Sequence, residues 1–191
     1  MATSSSNPKP VGLVLAGGHS RRYGSDKALA RVVNDQPNVL LAVQRLLPHC
    51  QRVVVSVNNH NQAAVRACLG MLENVSLVTD SPTFADQGPL SGILAASLTM
   101  AGPTSLVVTA VDYPSLPQAG LTALVTHQPI YLQDPNRAHF TLAHLLIDPL
   151  VVTNWVRHHS RHRLQDFLRA QGCQPLVIDQ PLTNLNYEVS Q

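Results

Sequence analysis

Residues 11–27, VGLVLAGGHSRRYGSDK, combine glycines and cations directly after an apolar run. Glycine turns the backbone at low cost and lets it lie close against a ligand. Gly17 and Gly18 begin the polar part, and three cations follow them: Arg21, Arg22 and Lys27. Exposed amides and positive side chains in one loop favour an anion. The stretch predicts a nucleoside triphosphate site, with a plain strand-to-helix turn carrying solvated cations as the alternative.

Two common phosphate motifs do not fit this loop. The P-loop pattern Gly-x-x-x-x-Gly-Lys-Ser/Thr fails because Gly18 and Gly24 are one residue too far apart and Lys27 does not follow directly. The dinucleotide pattern Gly-x-Gly-x-x-Gly fails because Gly17 and Gly18 are adjacent. The loop therefore represents another class of phosphate site.

A carboxylate follows the apolar run TSLVVTAV, residues 104–111: Asp112. The carboxyl ends of parallel strands share one edge of a sheet, so Asp112 is expected level with the glycine loop. Mg²⁺ binds one or two protein carboxylates and completes its shell with phosphate oxygens and waters. Asp112 is thus a candidate magnesium ligand, and a helix cap or turn is its alternative role.

Lys27 is the candidate phosphate partner. Its compact charge would neutralise phosphate oxygens and stabilise charge moving onto a departing pyrophosphate, with Arg22 assisting. A solvated side chain at a helix start is the alternative, although a cation there is unfavourable unless an anion compensates it.

The pattern Leu-Ala-Gly-Gly-x-Ser-x-Arg-x-Gly-x-Asp-Lys, residues 15–27, resembles the signature of nucleotidyltransferases related to the molybdenum cofactor guanylyltransferases (MobA-like). The segment Asp112-Tyr113-Pro114 with Leu116-Pro117 resembles the family's magnesium-binding Asp-x-Pro-x-Leu-Pro. The resemblance implies that these residues contact the guanine nucleotide: Leu15, Ala16, Gly17, Gly18, Asn58 and Asp80.

The acceptor side resembles the family less closely. Residues 88–92, GPLSG, match a Gly-Pro-Leu-x-Gly segment that borders the family's site. Asn184 and Asn186 match its Asn-x-Asn, which lies near the pterin, although the usual Thr-Pro-Glu-Asp ending is absent. The resemblance therefore implies Asn184 and Asn186 as acceptor-binding residues.

The activity implied by the resemblance is Mg²⁺-dependent transfer of GMP from GTP to molybdopterin-bound molybdenum, with release of pyrophosphate. Cofactor-delivery or acceptor proteins would be further partners. One alternative is a transferase using CTP or UTP and a sugar-phosphate or alcohol-phosphate acceptor, but such relatives usually carry Leu-Ala-Ala-Gly where this chain has Leu-Ala-Gly-Gly. The other alternative is a non-catalytic GTP-binding adaptor that delivers or senses the cofactor.

Alternating apolar strands and amphipathic helices must position these residues. The patterns predict strands at 11–16, 52–57, 75–79 and 104–111 and helices at 38–47, 61–69 and 90–98. Beyond Pro117 they predict helices at 121–127, 145–159 and 160–170, the last capped by Ser160, and short strands at 130–132, 139–142 and 175–178. This order predicts an α/β fold with a three-layer, mostly parallel, doubly wound sheet (Rossmann-like, nucleotide-diphospho-sugar transferase type).

Residues 1–9 are polar and Ser-rich, which predicts a flexible leader. The chain length fits a single domain, residues 10–191, with a nucleotide half to about residue 117 and an acceptor half after it. The net charge of +2 argues against a dedicated nucleic-acid binder. No apolar run is long enough for a membrane span or a secretory signal, so a cytoplasmic protein is expected.

Three separated cysteines predict free thiols. His158, His159 and His162 are expected to form a basic helix end, with a metal site as the alternative.

Overall fold

The computed structural model describes residues 8–18, 26–80, 84, 88–159 and 161–185. Within them a seven-stranded sheet carries helices on both faces, which confirms the predicted three-layer α/β fold. The elements are, in chain order, β1 (Val11–Leu15), α1 (Asn38–Leu46), β2 (Arg52–Val57), α2 (Gln62–Leu69), β3 (Val75–Thr79), α3 (Pro89–Ser97), β4 (Thr104–Ala110), α4 (Gln118–Thr126), β5 (Ile130–Gln133), β6 (Ala138–Ile147), α5 (Pro149–His158), α6 (Leu164–Ala170) and β7 (Gln174–Val177).

The strand order is β3-β2-β1-β4-β6-β5-β7. Strand β1 lies parallel to both β2 and β4, and its last residue, Leu15, pairs with Ser56 and Ala110. Strand β3 continues the same direction beside β2, with Thr79 opposite Val57. Because these four strands end at one edge, the polar residues that follow them are brought together there.

Both faces of the sheet are covered, which explains why the central strands contain nearly continuous apolar runs. Helices α1, α2 and α4 pack against one face, where Val55 and Val107 are buried. Helices α3, α5 and α6 pack against the other, where Val54 and Leu106 are buried. Helix α1 buries Val39, Val43 and Leu46, whereas Leu98, the last residue of the helix predicted at 90–98, follows α3 and is 58% exposed.

The largest correction to the sequence prediction concerns β6. We expected a short strand at 139–142 and a helix at 145–159, but the strand continues to Ile147 and the helix begins at Pro149. The reason is period-two burial, because Leu145 and Ile147 are buried while Leu146 is 59% exposed. Asp148 then caps α5 by accepting a hydrogen bond from the Leu150 amide at 2.8 Å.

Strand β6 is also the one described strand that runs against the others. It pairs antiparallel with β4 and with β5, and β5 pairs parallel with β7. The amino end of β6 therefore lies at the same edge as the carboxyl end of β4. Thr141, near that end, therefore lies at the edge of the sheet where β1 to β4 end.

The remaining boundaries differ modestly from the sequence prediction. The last helix begins at Leu164 after Arg163 and not at residue 160, and the expected cap Ser160 lies outside the described residues. The cysteines are free, as predicted, and burial raises the pKa of the Cys50 thiol to about 12. Among the described helices, none combines the length and apolarity needed to cross a bilayer.

Candidate active site

A crevice of about 280 Å³ opens at the edge where β1 to β4 end. This volume is just below the range that small-molecule sites typically occupy, roughly 300 to 1,000 Å³. Seven of the residues predicted to bind the nucleotide line it: Leu15, Ala16, Gly17, Gly18, Lys27, Asp80 and Asp112. The glycine loop and the aspartate that ends β4 therefore share one crevice, as the parallel strand order predicts.

The loop after β1 is fixed from behind by two asparagines. Asn61, which is buried, donates from Nδ2 to the Ala16 carbonyl at 2.8 Å. Asn58 donates from Nδ2 to the Gly17 carbonyl at 3.1 Å, and its Oδ1 accepts from the His60 and Asn61 amides. Both loop carbonyls are thus held toward the start of α2.

Asn58 therefore holds the loop through its hydrogen bond to Gly17, and it does not line the crevice. Asn61 was given no role from the sequence. The signal that would have found it is the run Asn58-Asn59-His60-Asn61 directly after a buried strand, since asparagine amides readily bond nearby backbone.

Asp80 reaches the crevice from the end of β3 and is held there by Ser91 of α3. The Ser91 hydroxyl can donate to Asp80 Oδ2 at 2.8 Å, with the Gly88 carbonyl oxygen at 2.7 Å as its alternative acceptor. Gly88 has φ of +68°, which only glycine adopts easily, at the residue before α3 begins. This turn brings Ser91 to the carboxylate and gives it a role that the sequence did not indicate.

Gly92 lets α3 approach the sheet closely, because a Cβ there would lie 2.6 Å from Ser56 Oγ and 2.8 Å from Leu15 Cδ2. We expect Gly92→Ala to lower the free energy of unfolding by about 1 to 3 kcal/mol in a denaturant titration. In the control Gly102→Ala the new Cβ meets nothing within 4 Å, and stability should change by less than about 1 kcal/mol. Equal stability of the two variants would contradict this close approach.

Asp112 is held by the end of the described chain. Asn184 donates from Nδ2 to Asp112 Oδ2 at 3.0 Å, and the Leu185 amide donates to the Asp112 carbonyl at 3.0 Å. The predicted acceptor-binding residue Asn184 is therefore buried beside the predicted magnesium ligand. The two were assigned to different halves of the chain, but the structure joins them directly.

Tyr113, which follows Asp112, begins a buried polar chain that the sequence did not indicate. Its hydroxyl lies 2.9 Å from Nδ1 of His139, and Nε2 of His139 lies 3.0 Å from Oδ2 of Asp134. Burial and the neighbouring Asp112 charge raise the pKa of Tyr113. Burial acts to raise the pKa of Asp134, but the bonds it accepts from the Leu182, Arg137 and Asn136 amides and from His139 hold that pKa well below its usual range.

The donor set of the crevice fits Mg²⁺. Three carboxylates, Asp26, Asp80 and Asp112, line it together with Lys27. No cluster of three His, Cys, Asp or Glu ligands occurs among the residues that the structure describes, so the chain supplies no complete cage there. This agrees with a hard cation held by few carboxylate oxygens and completed by a nucleotide's phosphates and water.

Other predicted residues lie elsewhere or outside the described parts. His158 and His159 each bond a backbone carbonyl one turn earlier in α5, at 2.8 Å and 3.0 Å, which is the arrangement of a helix end. Arg22 and Asn186 lie outside the described residues, as do Arg21 and Gly24.

Comparison with known proteins identifies relatives of this chain. A molybdenum cofactor guanylyltransferase from Rhodobacter capsulatus is 34% identical over 135 residues, which are 70% of this chain and 66% of that enzyme. A probable molybdenum cofactor guanylyltransferase from Chloroflexus aggregans is 36% identical over 116 residues, 59% of this chain and 50% of that protein. The matches thus span from half to just under two thirds of these relatives.

The fold is shared with solved structures. The crystal structure of Rv0371c from Mycobacterium tuberculosis H37Rv superposes with a TM-score of 0.69 over 92% of this chain and 91% of that one, at 17% identity. A family model described as the MobA-like NTP transferase domain matches residues 12–180, which include the strands that build the crevice except for Val11, the first residue of β1. The chain therefore belongs to the MobA-like NTP transferase domain family.

Proposed function

We propose that this protein is a Mg²⁺-dependent guanylyltransferase that transfers GMP from GTP to molybdopterin-bound molybdenum cofactor. The observation that carries the proposal is the single crevice shared by the glycine loop, Lys27, Asp80 and Asp112. The names of the relatives from Rhodobacter capsulatus and Chloroflexus aggregans support the choice of donor and acceptor. Family membership supports nucleotidyl transfer as the reaction class.

In the proposed reaction an oxygen of the acceptor's phosphate attacks the α-phosphorus of GTP. The bond from that phosphorus to the bridging oxygen of the β-phosphate breaks, and pyrophosphate leaves with the electron pair. The acceptor oxygen is already anionic, so the reaction needs no strong general base. Catalysis then consists mainly of alignment and charge stabilisation.

The chain's own residues supply that alignment. Lys27, assisted by Arg22, would bind phosphate oxygens, and the glycine loop would accept the phosphates close to its backbone. Asp112 is the residue that would hold Mg²⁺ at the end of β4. When bound, this ion supplies positive charge that stabilises developing negative charge on phosphate oxygens.

Guanine recognition is assigned to Asp80. Guanine presents an N1–H and an amino group, which a carboxylate can accept, whereas adenine has no N1–H. The Ser91 hydroxyl would hold one carboxylate oxygen while the other faces the base. Asn58 would act on the nucleotide through the Gly17 carbonyl that it holds.

We expect Asp80→Asn to weaken GTP binding by about tenfold to a hundredfold, because hydrogen bonds to charged groups contribute about 1.5 to 3 kcal/mol. Ser91→Ala should weaken it less, by about tenfold at most. Ser97→Ala is the matched control, since this hydroxyl is buried on the same helix but bonds the Leu94 carbonyl and does not line the crevice. Calorimetric titration with GTP and ATP measures the effect, and equal losses for both nucleotides would contradict base recognition.

The remaining assignments follow from the same proposal. Residues 10–117 would form the nucleotide half and residues 118–191 the acceptor half of one domain, after a leader at residues 1–9. Asn184 and Asn186 would lie toward the pterin, and a delivery or acceptor protein would bring the cofactor. A cytoplasmic location suits this biosynthetic reaction.

One assay tests the proposed function directly. Purified protein is incubated with Mg²⁺, each nucleoside triphosphate in turn and cofactor-loaded acceptor, and pyrophosphate is measured. Release with GTP alone among the four would support the proposal. Release only with CTP or UTP would assign another specificity, and GTP binding without release would indicate an adaptor.

A further inference from the structure

The buried chain from Tyr113 to Asp134 closes into a ring through the last described residues. Asp134 Oδ2, which faces His139, also accepts from the Leu182 amide at 2.8 Å. Residues 182–185 then return to Asp112, where the Asn184 side chain and the Leu185 amide bond its carboxylate and carbonyl. Two paths thus connect Asp134 with Asp112. One runs through His139 and Tyr113, and the other runs through residues 182–185.

The side-chain path consists of two short contacts. The Tyr113 hydroxyl lies 2.9 Å from Nδ1 of His139, and Nε2 of His139 lies 3.0 Å from Oδ2 of Asp134. The other oxygen of Asp134, Oδ1, accepts from the Asn136 and Arg137 amides at 2.8 Å each. The carboxylate is therefore held in one orientation by the turn between β5 and β6.

All three side chains are withdrawn from water. Tyr113 is 7% exposed, His139 2% and Asp134 3%. Burying a carboxylate costs free energy unless partners compensate it, and satisfied buried networks fix a single arrangement of the groups they join. Neither His139 nor Asp134 lines the crevice, so their influence on a ligand there must pass through Tyr113 or residues 182–185.

We infer that Asp134, His139 and Tyr113 are positioning residues, which orient Asp112 in the crevice and the segment 182–185 that bonds it. The magnesium part of this inference depends on the proposed function, whereas the docking of residues 182–185 does not. The side chains of Asn184 and Thr141 also bond the Tyr113 hydroxyl, which links the network to a residue that lines the crevice. A substitution of Asp134 should therefore change the position of the Asp112 side chain, although the two residues are not in contact.

The test compares variants that remove one polar contact each. Tyr113→Phe and His139→Gln each remove one partner from the side-chain path. Tyr131→Phe is the matched control, because Tyr131 is equally buried but packs against Phe140 in the opposite core layer. For Asp134→Asn the control is Asp148→Asn, which removes a capping carboxylate remote from the crevice.

Two measurements read the network. The first is Mn²⁺ affinity in the presence of GTP, followed by electron paramagnetic resonance. Tyr113→Phe, His139→Gln and Asp134→Asn should each weaken it about five- to tenfold, since groups within one network are energetically coupled. The second is hydrogen exchange at the Leu182 and Leu185 amides, which should accelerate by a similar factor in the same variants. Both controls should match the original chain in both measurements.

The outcomes separate the inference from the proposed function. Faster exchange together with weaker Mn²⁺ binding supports the network as a positioning device. If the unmodified chain binds no Mn²⁺ with GTP, the proposed function fails, and faster exchange alone still supports docking by the network. Variants that lose thermal stability but keep exchange at Leu185 and Mn²⁺ affinity within about twofold would overturn the inference.

Discussion

Asp112→Asn is expected to slow GTP-dependent pyrophosphate release by about a thousandfold, the largest effect we expect from one conservative change. Such a factor corresponds to about 4 kcal/mol of lost transition-state stabilisation. The carboxylate is the donor at the end of β4 that fits Mg²⁺, and an amide oxygen without the charge holds the ion far less firmly. Steady-state kinetics over a range of Mg²⁺ concentrations measures the loss.

The fold should survive this substitution. Asparagine keeps the shape of the side chain and one oxygen that can accept from Asn184, and the bond from the Leu185 amide goes to the backbone. Unfolding temperature and circular dichroism should therefore stay close to those of the unmodified protein. Asp166→Asn, on α6, is the control for the substitution itself. Near-normal turnover of Asp112→Asn at low Mg²⁺ would remove the assignment.

Lys27→Ala should lower kcat by about a hundredfold to a thousandfold, the range found when one preorganised charge-stabilising donor is removed. The ammonium group is expected to meet negative charge that grows on the departing pyrophosphate, so the chemical step should suffer more than GTP binding. The backbone carbonyl of Lys27, which accepts from the Asn38 side chain at 2.9 Å, is unchanged by the substitution. Rapid-quench measurement of GMP transfer separates the chemical step from binding.

The chain offers a matched control for this experiment because it contains only one other lysine, Lys9. Its Nζ donates to the Pro48 carbonyl at 3.0 Å, at an exposed position that does not line the crevice. Lys9→Ala should therefore leave kcat within about twofold of the original value. Equal losses of kcat in the two variants would show that the effect comes from removing one positive charge from the protein and not from the position of Lys27.

The parts of the fold that sequence reasoning predicts well are those in which local pattern and global order agree. Strands β1, β2 and β4 are short apolar runs followed by Gly17, Asn58 and Asp112, and parallel order alone places such residues at one edge. The prediction was wrong at β6 because Leu145 and Ile147 were assigned to a helix. The structure shows a strand there, because Leu146 is exposed between two buried neighbours and the helix begins only at Pro149, after its cap Asp148. This alternation can be recognised only once the pairing with the neighbouring strand is known.

The site follows the same division. Lys27 and Asp112 carry a local signature, whereas Asp134, His139 and Leu182 gain their roles only from contacts between distant parts of the chain. A single histidine or aspartate after a short strand has many structural uses, so its residue type indicates nothing specific. Asn58 was predicted to contact the nucleotide directly, but in the structure its side chain bonds the Gly17 carbonyl and so supports the loop.

The reversed direction of β6 has a consequence for how acceptor preference can change among related proteins. The hairpin of β5 and β6 brings Thr141 to the crevice but does not take part in the pairing of β1 with β2 and β4. Under the proposed function, the nucleotide donor and the acceptor would then contact different strands of the sheet. Exchanging that hairpin between relatives would then be expected to change the acceptor while the residues proposed to bind the triphosphate stay in place.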